Sequence, residues 1–316
     1  MVRLLCAGEV LAEMVAQQVD QDPLAVGQWD GPFPSGAPAI FADQAALCGA
    51  EVAVLGRVGD DDFGRVCLNR LRQDGVDVSA ITVDPERSTG VAFVRYRSDG
   101  SRSFLFHVAD AAAGAFTVPD PRAAVAGMDC LHLMGSSAFS AQAVTHLGRL
   151  FDAARAAGVR VSVDPNVRVE MLTDPAHRAE LRRWTEGAQY VLASEGELEA
   201  LFDGRDRDAC VAELLAGAAE LVVIKQGSRG ALLHSRDGAV IRVPGISVVE
   251  VDATGAGDCF GGTFLSLVLQ GYQPAEAVRL ANIAGGLSVT ARGPMSGNRP
   301  LAELVAVHNQ QGEDDA

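Results

Sequence analysis

The segment Val248–Leu267 carries the residues whose types and spacing are best suited to chemistry. A β-rich run ends at Asp252, a small flexible turn follows, and a helical pattern begins near Ala256. The start of a helix presents unpaired backbone N–H groups and the positive end of the helix dipole, which suits a phosphoryl group. Asp258 lies on the first turn, where its carboxylate could accept a proton from an attacking hydroxyl. The pattern therefore indicates phosphoryl transfer, which depends mainly on positioning and charge stabilisation.

A glycine-rich turn at the start of a helix also has an ordinary structural interpretation. Gly255 and Gly257 allow close approach of the backbone, but a lone G-x-G turn is more often structural than functional. The sequence contains no G-x-x-x-x-G-K-[ST] segment, which argues against a P-loop, and no G-x-G-x-x-G spacing in this turn. The acidic residue inside the turn favours the catalytic interpretation.

The elements that must position this turn are visible as short apolar runs that alternate with amphipathic segments. The apolar runs are predicted strands at Arg3–Ala7, Glu51–Val58, Asp129–Leu133, Val159–Val163, Gln189–Leu192 and Glu220–Lys225. The amphipathic segments are predicted helices at Phe63–Asp74, Ala141–Ala157 and Asp208–Ala216. This alternation predicts an α/β fold with a mostly parallel sheet flanked by helices, in which ligands lie beyond the carboxyl ends of the strands.

One stretch interrupts this alternation. Thr89–Tyr96 and Ser101–Val108 alternate apolar with polar residues, and the Asp-Gly pair within Arg97–Gly100 predicts a β-hairpin between them. Such a hairpin could be a lid, a dimer surface or an ordinary edge hairpin. We expect one domain over residues 1–309, with β lid elements around 80–108, and a frayed acidic tail over 310–316.

Composition limits the classes of partner. The chain has 26 Lys+Arg against 41 Asp+Glu, a formal net charge of −15, so nucleic acid and anionic membranes are disfavoured. Its six cysteines are scattered without a C-x-x-C pair, which favours free thiols in a reducing compartment. Neither a signal-peptide layout nor a membrane-spanning apolar stretch is present. We therefore expect a cytoplasmic protein.

The stretch Asp252–Gly262 resembles the C-terminal signature of the PfkB/ribokinase family of carbohydrate kinases. Five further blocks match that family in order, at Gly8-Glu9, Ser35–Ala37, Gly56–Gly64, Asp164–Arg168 and Lys225–Gly230. The resemblance covers nearly the whole chain. It implies a ribokinase-like fold and ATP-dependent phosphorylation of a hydroxyl of a small sugar. ATP and Mg²⁺ would be the cofactors, with K⁺ in many members, and we expect a homodimer that forms through the β lid.

The resemblance also assigns roles to residues. Asp258 would be the base, and the amides of Gly255, Ala256 and Gly257 would form the anion hole. Residues expected at the nucleotide are Ser194, Glu197, Lys225, Gly227, Gly230 and Asn282. Glu197 would hold Mg²⁺ through water, and Asp252 and Thr254 would lie beside the monovalent cation. Structural alternatives remain open, with Glu197 as a helix-surface acid and Asp252 as a strand-terminal cap.

The sugar end departs from the family pattern. Residues expected there are Glu13, Gly36, Ala37, Asp43, His107, Asn166 and Arg168. Glu13 stands where most members have Asp. Ile40 stands where they usually have Asn, which removes one polar contact to a sugar hydroxyl, and Asp43 could compensate for this loss. Arg168 could face a sugar acid or ATP, or pair with Asp164. The candidate substrates are a ketohexose such as tagatose or fructose, or 2-keto-3-deoxygluconate. The alternatives are a nucleoside kinase and a catalytically weak sugar-binding regulatory protein.

Overall fold

The computed structural model describes residues 1–167 and 174–314 of the chain. The strands are β1 (Arg3–Ala7), β2 (Leu11–Ala16), β3 (Trp29–Ser35), β4 (Glu51–Gly59), β5 (Ile81–Asp84), β6 (Gly90–Tyr96), β7 (Arg102–His107), β8 (Cys130–Met134), β9 (Arg160–Asp164), β10 (Tyr190–Ser194), β11 (Leu221–Lys225), β12 (Ala231–Ser235) and β13 (Val240–Val243). The helices are α1 (Ala37–Leu47), α2 (Asp62–Gln73), α3 (Pro121–Val125), α4 (Ala141–Ala156), α5 (Pro175–Gly187), α6 (Glu197–Leu201), α7 (Arg207–Ala216), α8 (Ala256–Leu269), α9 (Pro274–Ser288) and α10 (Leu301–Asp314).

Within these ranges the main sheet has nine strands, in the order β13-β12-β11-β10-β9-β8-β1-β4-β5. The strands from β11 to β5 pair in parallel, and only β12 and β13 are antiparallel to their neighbours. The predicted sheet is therefore confirmed. Strands β1, β9, β10 and β11 end at Ala7, Asp164, Ser194 and Lys225. Because parallel strands end at the same edge of a sheet, the residues that follow them converge there.

Both faces of the main sheet are covered by helices. One face packs against α1, α8 and α9, where Phe41 and Phe264 are fully buried. The other face packs against α4, α5 and α7, where Trp184 and Phe202 have no more than 1% of their surface exposed. These two aliphatic-rich cores hold the sheet edge rigid, because close-packed interiors resist small displacements.

A second sheet of four strands, which we call the lid sheet, has the order β3-β2-β6-β7. The predicted hairpin is confirmed, since β6 and β7 pair antiparallel from Val91 with His107 to Tyr96 with Arg102. The lid sheet is larger than the predicted hairpin because β2 and β3 join it, and β5 belongs to the main sheet instead. The parallel pairing of β2 with β6 joins distant parts of the chain, which local sequence patterns do not reveal.

Two local expectations differ from the structure. The β-rich run before Asp252 is not a strand; the N–H groups of Val251 and Asp252 both donate to the carbonyl of Val289, at 2.8 and 3.1 Å. The last helix, α10, extends to Asp314 and therefore includes most of the segment 310–316 that was expected as a frayed tail. None of the helices in the described ranges is long and apolar enough to cross a membrane.

Candidate active site

The turn before α8 is shaped by its glycines. Gly255 is the N-cap of α8 with φ +83°, a left-handed conformation that suits glycine. A Cβ atom on Gly255 would lie 2.8 Å from the carbonyl oxygen of Pro294, so a side chain has no room. The helix begins at Ala256 as predicted, and its first amides have no acceptors within the helix. The turn therefore presents N–H groups to a bound anion.

Asp258 lies on the first turn of α8 and is only 8% exposed. Asn166, which follows β9, directs its side-chain Nδ2 to Asp258 Oδ1 at 3.4 Å. A Cβ atom on Gly257 would lie 3.2 Å from Nζ of Lys225 at the end of β11. The structure thus brings the expected base, the expected anion hole and a lysine together at the edge of the sheet.

Lys225 is held in place by acidic neighbours. Its ammonium forms a buried ion pair with the carboxylate of Asp164 at the end of β9. Burial alone would lower the pKa of Lys225, but the negative charges of Asp164 and Glu197 outweigh it and raise the pKa above its ordinary value. Lys225 therefore stays protonated beside the anion hole, where it can stabilise negative charge on phosphate. The sequence suggested Asp164 as a structural partner of Arg168. In the structure, Asp164 forms an ion pair with Lys225.

Glu197 lies at the N-terminus of α6, where two backbone N–H groups donate to its carboxylate. Ser194 N donates to Oε2 at 2.6 Å and Val167 N donates to Oε1 at 3.0 Å. Burial, followed by the nearby charge of Asp164, raises the pKa of Glu197 to about 7. This arrangement fits a carboxylate that touches Mg²⁺ through water, since a bound cation would favour its ionised form. In the described part of the chain, no three acidic, histidine or cysteine residues cluster to form a metal site.

A cavity of about 310 Å³ lies between the lid sheet and the turn before α8. We call it the sugar cavity because four of the residues expected at the substrate line it, namely Glu13, Gly36, Ala37 and Asn166. Its polar and charged lining includes Glu9, Glu13, Ser35, Arg102, Asn166, Ser194, Glu197, Lys225, Thr254 and Asp258. Its apolar lining includes Leu11, Ile40, Ala92, Phe104 and Phe106. Gly36 and Ala37, at the start of α1, also border it.

Two buried carboxylates face this cavity from the N-terminal part of the chain. Glu9, which follows β1, accepts hydrogen bonds from the hydroxyls of Ser136 and Ser137 at 3.0 and 2.5 Å. Glu13, on β2, accepts one from the Ser35 hydroxyl at 3.1 Å. Both are at most 6% exposed. Carboxylates held in this way can accept hydrogen bonds from the hydroxyls of a polyol.

A larger cleft of about 840 Å³ adjoins the sugar cavity, and we call it the nucleotide cleft. It is lined by five of the residues expected at the nucleotide, namely Ser194, Lys225, Gly227, Gly230 and Asn282. Gly230 has φ +94°, and a Cβ atom there would lie 2.0 Å from the carbonyl oxygen of Val243. Asn282 Nδ2 donates to the carbonyls of Val243 and Pro244 at 3.2 and 3.1 Å, which anchors α9 to this wall.

The two cavities meet at a small shared set of residues: Arg102, Ser194, Lys225, Ala253, Ala256 and Gly257. Asp258 borders only the sugar cavity. A phosphoryl group that passes from one cavity to the other would therefore cross the helix start, with the carboxylate on the acceptor side. This geometry suits transfer from a nucleotide to a hydroxyl.

Asp43, expected at the substrate, is not in the sugar cavity. Its carboxylate is fully buried and accepts hydrogen bonds from Arg70 on α2, at 3.2 to 3.3 Å, and from Asn298 at 2.7 Å. It lies almost one turn further along α1 than Ile40, which does line the cavity. Asp43 therefore fastens α1 to its neighbours and does not compensate for the apolar residue at position 40.

His107 also points away from the cavity. Successive side chains on a strand face opposite sides, so Phe104 and Phe106 on β7 face inward while His107 faces outward, edge-on to Phe93. The prediction of a substrate contact for His107 was wrong. Arg168 lies outside the described residues.

Sequence reasoning missed several residues that border the site. Glu9 was recognised only as part of a matching block, although its position directly after a strand was an available signal. Arg102, Phe104 and Phe106 come from the lid sheet, and their period-two spacing could have indicated a shared face. Tyr96, at the end of β6, reaches the turn before α8, and no local pattern predicts that contact.

The environment of Asp252 is set by this tyrosine. Oδ1 of Asp252 accepts hydrogen bonds from the Tyr96 hydroxyl and from Thr254 N, the latter at 2.9 Å. Oδ2 accepts one from Gly293 N at 3.0 Å, and the Tyr96 hydroxyl in turn accepts one from Ala253 N at 3.1 Å. The carboxylate is 1% exposed and does not border either cavity. Asp252 thus shapes the turn, while Thr254 borders the sugar cavity.

Comparison with curated proteins gives relatives that match most of the chain. Fructokinase-1 of Oryza sativa subsp. japonica is 34% identical over 279 residues, which are 82% of this chain and 83% of that protein. The 2-dehydro-3-deoxygluconokinase of Thermoproteus tenax is 31% identical and covers 93% of this chain and 90% of its own.

Solved structures share the fold over almost the full length. An E. coli protein assigned as a ribokinase II, in complex with ATP and Mg²⁺, has a TM-score of 0.93 and 36% identity over 98% of this chain and 100% of that one. A fructokinase double mutant from Vibrio cholerae O395, with fructose, ADP and potassium bound, has a TM-score of 0.83 and 27% identity over 97% of this chain and 98% of that one.

The family model described as pfkB family carbohydrate kinase matches residues 1–300. This match agrees with the ribokinase-like α/β fold and with the helix start that joins the two cavities. The chain therefore belongs to the pfkB family of carbohydrate kinases and is an ATP-dependent sugar kinase.

Proposed function

We propose that this kinase transfers the γ-phosphate of ATP to a hydroxyl of a neutral ketohexose, with Asp258 as the base. The position of Asp258 is the observation that carries its assignment as the base. Asp258 borders the sugar cavity but not the nucleotide cleft, and it follows directly after Gly257, which both cavities share. Its carboxylate can accept the proton of the attacking hydroxyl as the oxygen–phosphorus bond forms.

The helix start would stabilise the transferred group. The amides of Gly255, Ala256 and Gly257 would hold its oxygens, and the ammonium of Lys225 would offset their charge. Mg²⁺, held through water by Glu197, would neutralise further charge on the phosphates when bound. Gly227 and Gly230 line the nucleotide cleft and have no side chains, so the backbone there can approach the nucleotide closely.

The lining of the sugar cavity supports a neutral substrate. Besides Asp258 and Glu197, the described acidic groups that line it are the carboxylates of Glu9 and Glu13. Both would accept hydrogen bonds from hydroxyls and would repel the carboxylate of a sugar acid. The described cations, Arg102 and Lys225, belong to the wall shared with the nucleotide cleft. A ketohexose therefore fits better than 2-keto-3-deoxygluconate, and similarity to named fructokinases supports the same choice.

A coupled assay of ADP release would test the proposal with a panel of ketohexoses, 2-keto-3-deoxygluconate and nucleosides. We expect the highest kcat/KM with a ketohexose. The Asp258→Asn variant should lose roughly 10²–10⁴-fold in kcat, because a positioned base contributes about this much. It should still bind ATP, since the two side chains have nearly the same shape.

Asp62→Asn is a suitable control, because Asp62 is at the solvent-exposed start of α2. Near-normal turnover in Asp258→Asn would refute the assignment of the base. Preference for the sugar acid would refute the neutral substrate and would leave the kinase assignment intact.

We also propose a homodimer that forms through the outer face of the lid sheet, and a cytoplasmic location. The outer face carries Met14, Phe93 and Leu105 in one cross-strand row, and Leu105 is 58% exposed. An exposed apolar face on a sheet can pair with a second copy. The six cysteines are all buried and free, which suits a reducing compartment.

A further inference from the structure

An arginine of the lid sheet lies where the two cavities meet. Arg102 is the first residue of β7, and it lines both the sugar cavity and the nucleotide cleft. Its side chain is exposed, and within residues 1–167 and 174–314 its guanidinium forms no hydrogen bond or ion pair. The guanidinium lies 5.8 Å from the ring centroid of Phe104, a cation–π contact that leaves its N–H donors available to a ligand.

The lid sheet holds Arg102 beside the turn before α8. Arg102 pairs with Tyr96 across the hairpin of β6 and β7, and side chains of directly paired residues lie on the same face of a sheet. The Tyr96 hydroxyl donates to the carboxylate of Asp252 and accepts a hydrogen bond from Ala253 N at 3.1 Å. Tyr96 thus ties the hairpin to the turn that leads into the proposed anion hole, and Arg102 is its cross-strand neighbour.

The charges around this junction favour a role for a second cation. Lys225, the other described cation that lines both cavities, is already paired with the buried carboxylate of Asp164. The carboxylates of Glu197 and Asp258 line the sugar cavity beside it and add negative charge. A transferring phosphoryl group brings more negative charge, which neighbouring donors and cations must stabilise. The guanidinium of Arg102 is available for this task.

We propose that Arg102 is a catalytic residue that contacts the γ-phosphoryl group as it passes between the cavities. This inference rests on the proposed kinase reaction. In that reaction the bond from the γ-phosphorus to the ADP oxygen breaks, the bond to the sugar oxygen forms, and the proton of the sugar hydroxyl passes to Asp258. Arg102 neither gains nor loses a proton. Its planar fork donates two hydrogen bonds to non-bridging oxygens of the phosphoryl group.

The position of Arg102 separates this role from two simpler ones. An arginine that bound only the carboxylate of a sugar acid would not need to line the nucleotide cleft, and Glu9 and Glu13 line the sugar cavity without doing so. An arginine that bound only ATP would not need to line the sugar cavity. A group that contacts the phosphoryl in transit must reach both sides.

The test compares wild type with Arg102→Gln and Arg102→Lys in steady-state kinetics with saturating Mg²⁺. Arg102→Gln should lose roughly 10- to 150-fold in kcat, as expected for lost hydrogen bonds to a charged group. The KM values for sugar and ATP should change less than about threefold, because the contact forms with the transition state. Arg102→Lys keeps the charge but not the fork, so its loss should be smaller. The Tm of both variants should stay close to that of wild type, since the side chain is exposed.

Binding of a transition-state mimic gives a readout that is independent of turnover. ADP with aluminium fluoride and Mg²⁺ imitates the transferring phosphoryl group, and such analogues bind more tightly than substrates. In calorimetry, aluminium fluoride should tighten the binding of ADP to wild type. Arg102→Gln should lose most of this gain and bind ADP alone normally. Arg97→Gln is the matched control, because Arg97 is an exposed arginine of the same hairpin and lines neither cavity.

Normal kcat in Arg102→Gln would overturn the proposal, and so would a change confined to the KM for sugar or to the KM for ATP. Full activity of Arg102→Lys would overturn the forked contact. An equal loss in Arg97→Gln would show a general effect of charge on the lid and would also count against it. If no sugar in the panel is phosphorylated, the proposed substrate class fails. The aluminium fluoride measurement still decides the role of Arg102, because water can take the place of the acceptor.

Discussion

At the scale of single residues, the site depends on a short distance between the backbone of one element and the end of a side chain on another. Gly257 and Lys225 lie on different elements, yet a Cβ atom on Gly257 would be 3.2 Å from Nζ of the lysine. Gly257 does not have a positive φ, so its lack of a side chain reflects space and not backbone strain. The ammonium and the anion-hole amides are therefore close enough to act on one phosphoryl group.

We expect Gly257→Ala to lower kcat by at least about tenfold while the free energy of unfolding changes little. The added methyl group would push the lysine side chain away from the anion hole, and a misplaced charge stabilises the reaction less well. Steady-state kinetics and urea denaturation would measure the two effects separately.

Gly148→Ala on α4 is a matched control, since its Cβ would also lie 3.2 Å from the end of a side chain, Glu180 Oε2, but far from the sheet edge that carries the site. That variant should keep wild-type turnover. An equal loss of kcat in both variants, or a loss of stability alone in Gly257→Ala, would contradict this account of the turn.

At the scale of elements, the two parts of α1 have different roles. Its start borders the sugar cavity through Gly36, Ala37 and Ile40. Further along, Asp43 fastens the helix to Arg70 on α2 and to Asn298 before α10. In the ion pair between Arg70 and Asp43, the carboxylate of Asp43 is fully buried and the arginine is partly exposed. Its main effect is therefore to fix how these elements pack.

This carboxyl predicts a pH dependence of stability. Burial raises the pKa of Asp43 from 3.8 to about 7. Between these values the folded protein retains a proton that the unfolded chain releases, so the free energy of unfolding falls as the pH rises through this window. Retention of one such proton changes the free energy of unfolding by at most about 1.4 kcal/mol per pH unit. Asp43→Asn cannot titrate and should lack this contribution.

Urea denaturation from about pH 5 to pH 8 would measure the contribution of Asp43 to the pH dependence of stability, because this range spans its raised pKa. The free energy of unfolding of Asp43→Asn should rise relative to that of wild type as the pH increases. Asp208→Asn removes the same charge from an exposed position on α7 and should run parallel to wild type. Parallel curves for Asp43→Asn would show that the buried carboxyl stays ionised.

At the scale of the whole molecule, the lid sheet presents one face to the sugar cavity and the other to solvent. Inward, Ala92 and Phe106 line the cavity in one cross-strand row with Glu13. Outward, Phe93 packs edge-on against Trp29 beside the exposed Leu105. Dimerisation through this outer face would restrict the lid and so stiffen one wall of the sugar cavity.

We expect Leu105→Asp to shift the protein from dimer to monomer, because the interface would bury the new charge without a partner. Sedimentation velocity at micromolar concentration would measure the change. Val240→Asp on β13 places the same charge at another exposed apolar position and should leave the dimer intact. A monomeric wild type would exclude the proposed assembly.

The sequence by itself determined the parts of this protein that depend on neighbouring residues. The turn before α8, the carboxylate at Asp258 and the strand that ends at Lys225 all follow from local patterns of glycine, charge and apolar runs. Parallel strands bring their carboxyl ends together, so these local features also predicted one common site.

Only the tertiary structure decided which side chains face that site. The pairing of β2 with β6 and of β6 with β7 turns Glu13 and Phe106 inward and His107 outward. The packing of α1 against α2 takes Asp43 away from the sugar cavity. The contact of Tyr96 with Asp252 joins residues 156 positions apart. Such contacts depend on strand register and on long-range packing, which a local sequence pattern does not specify.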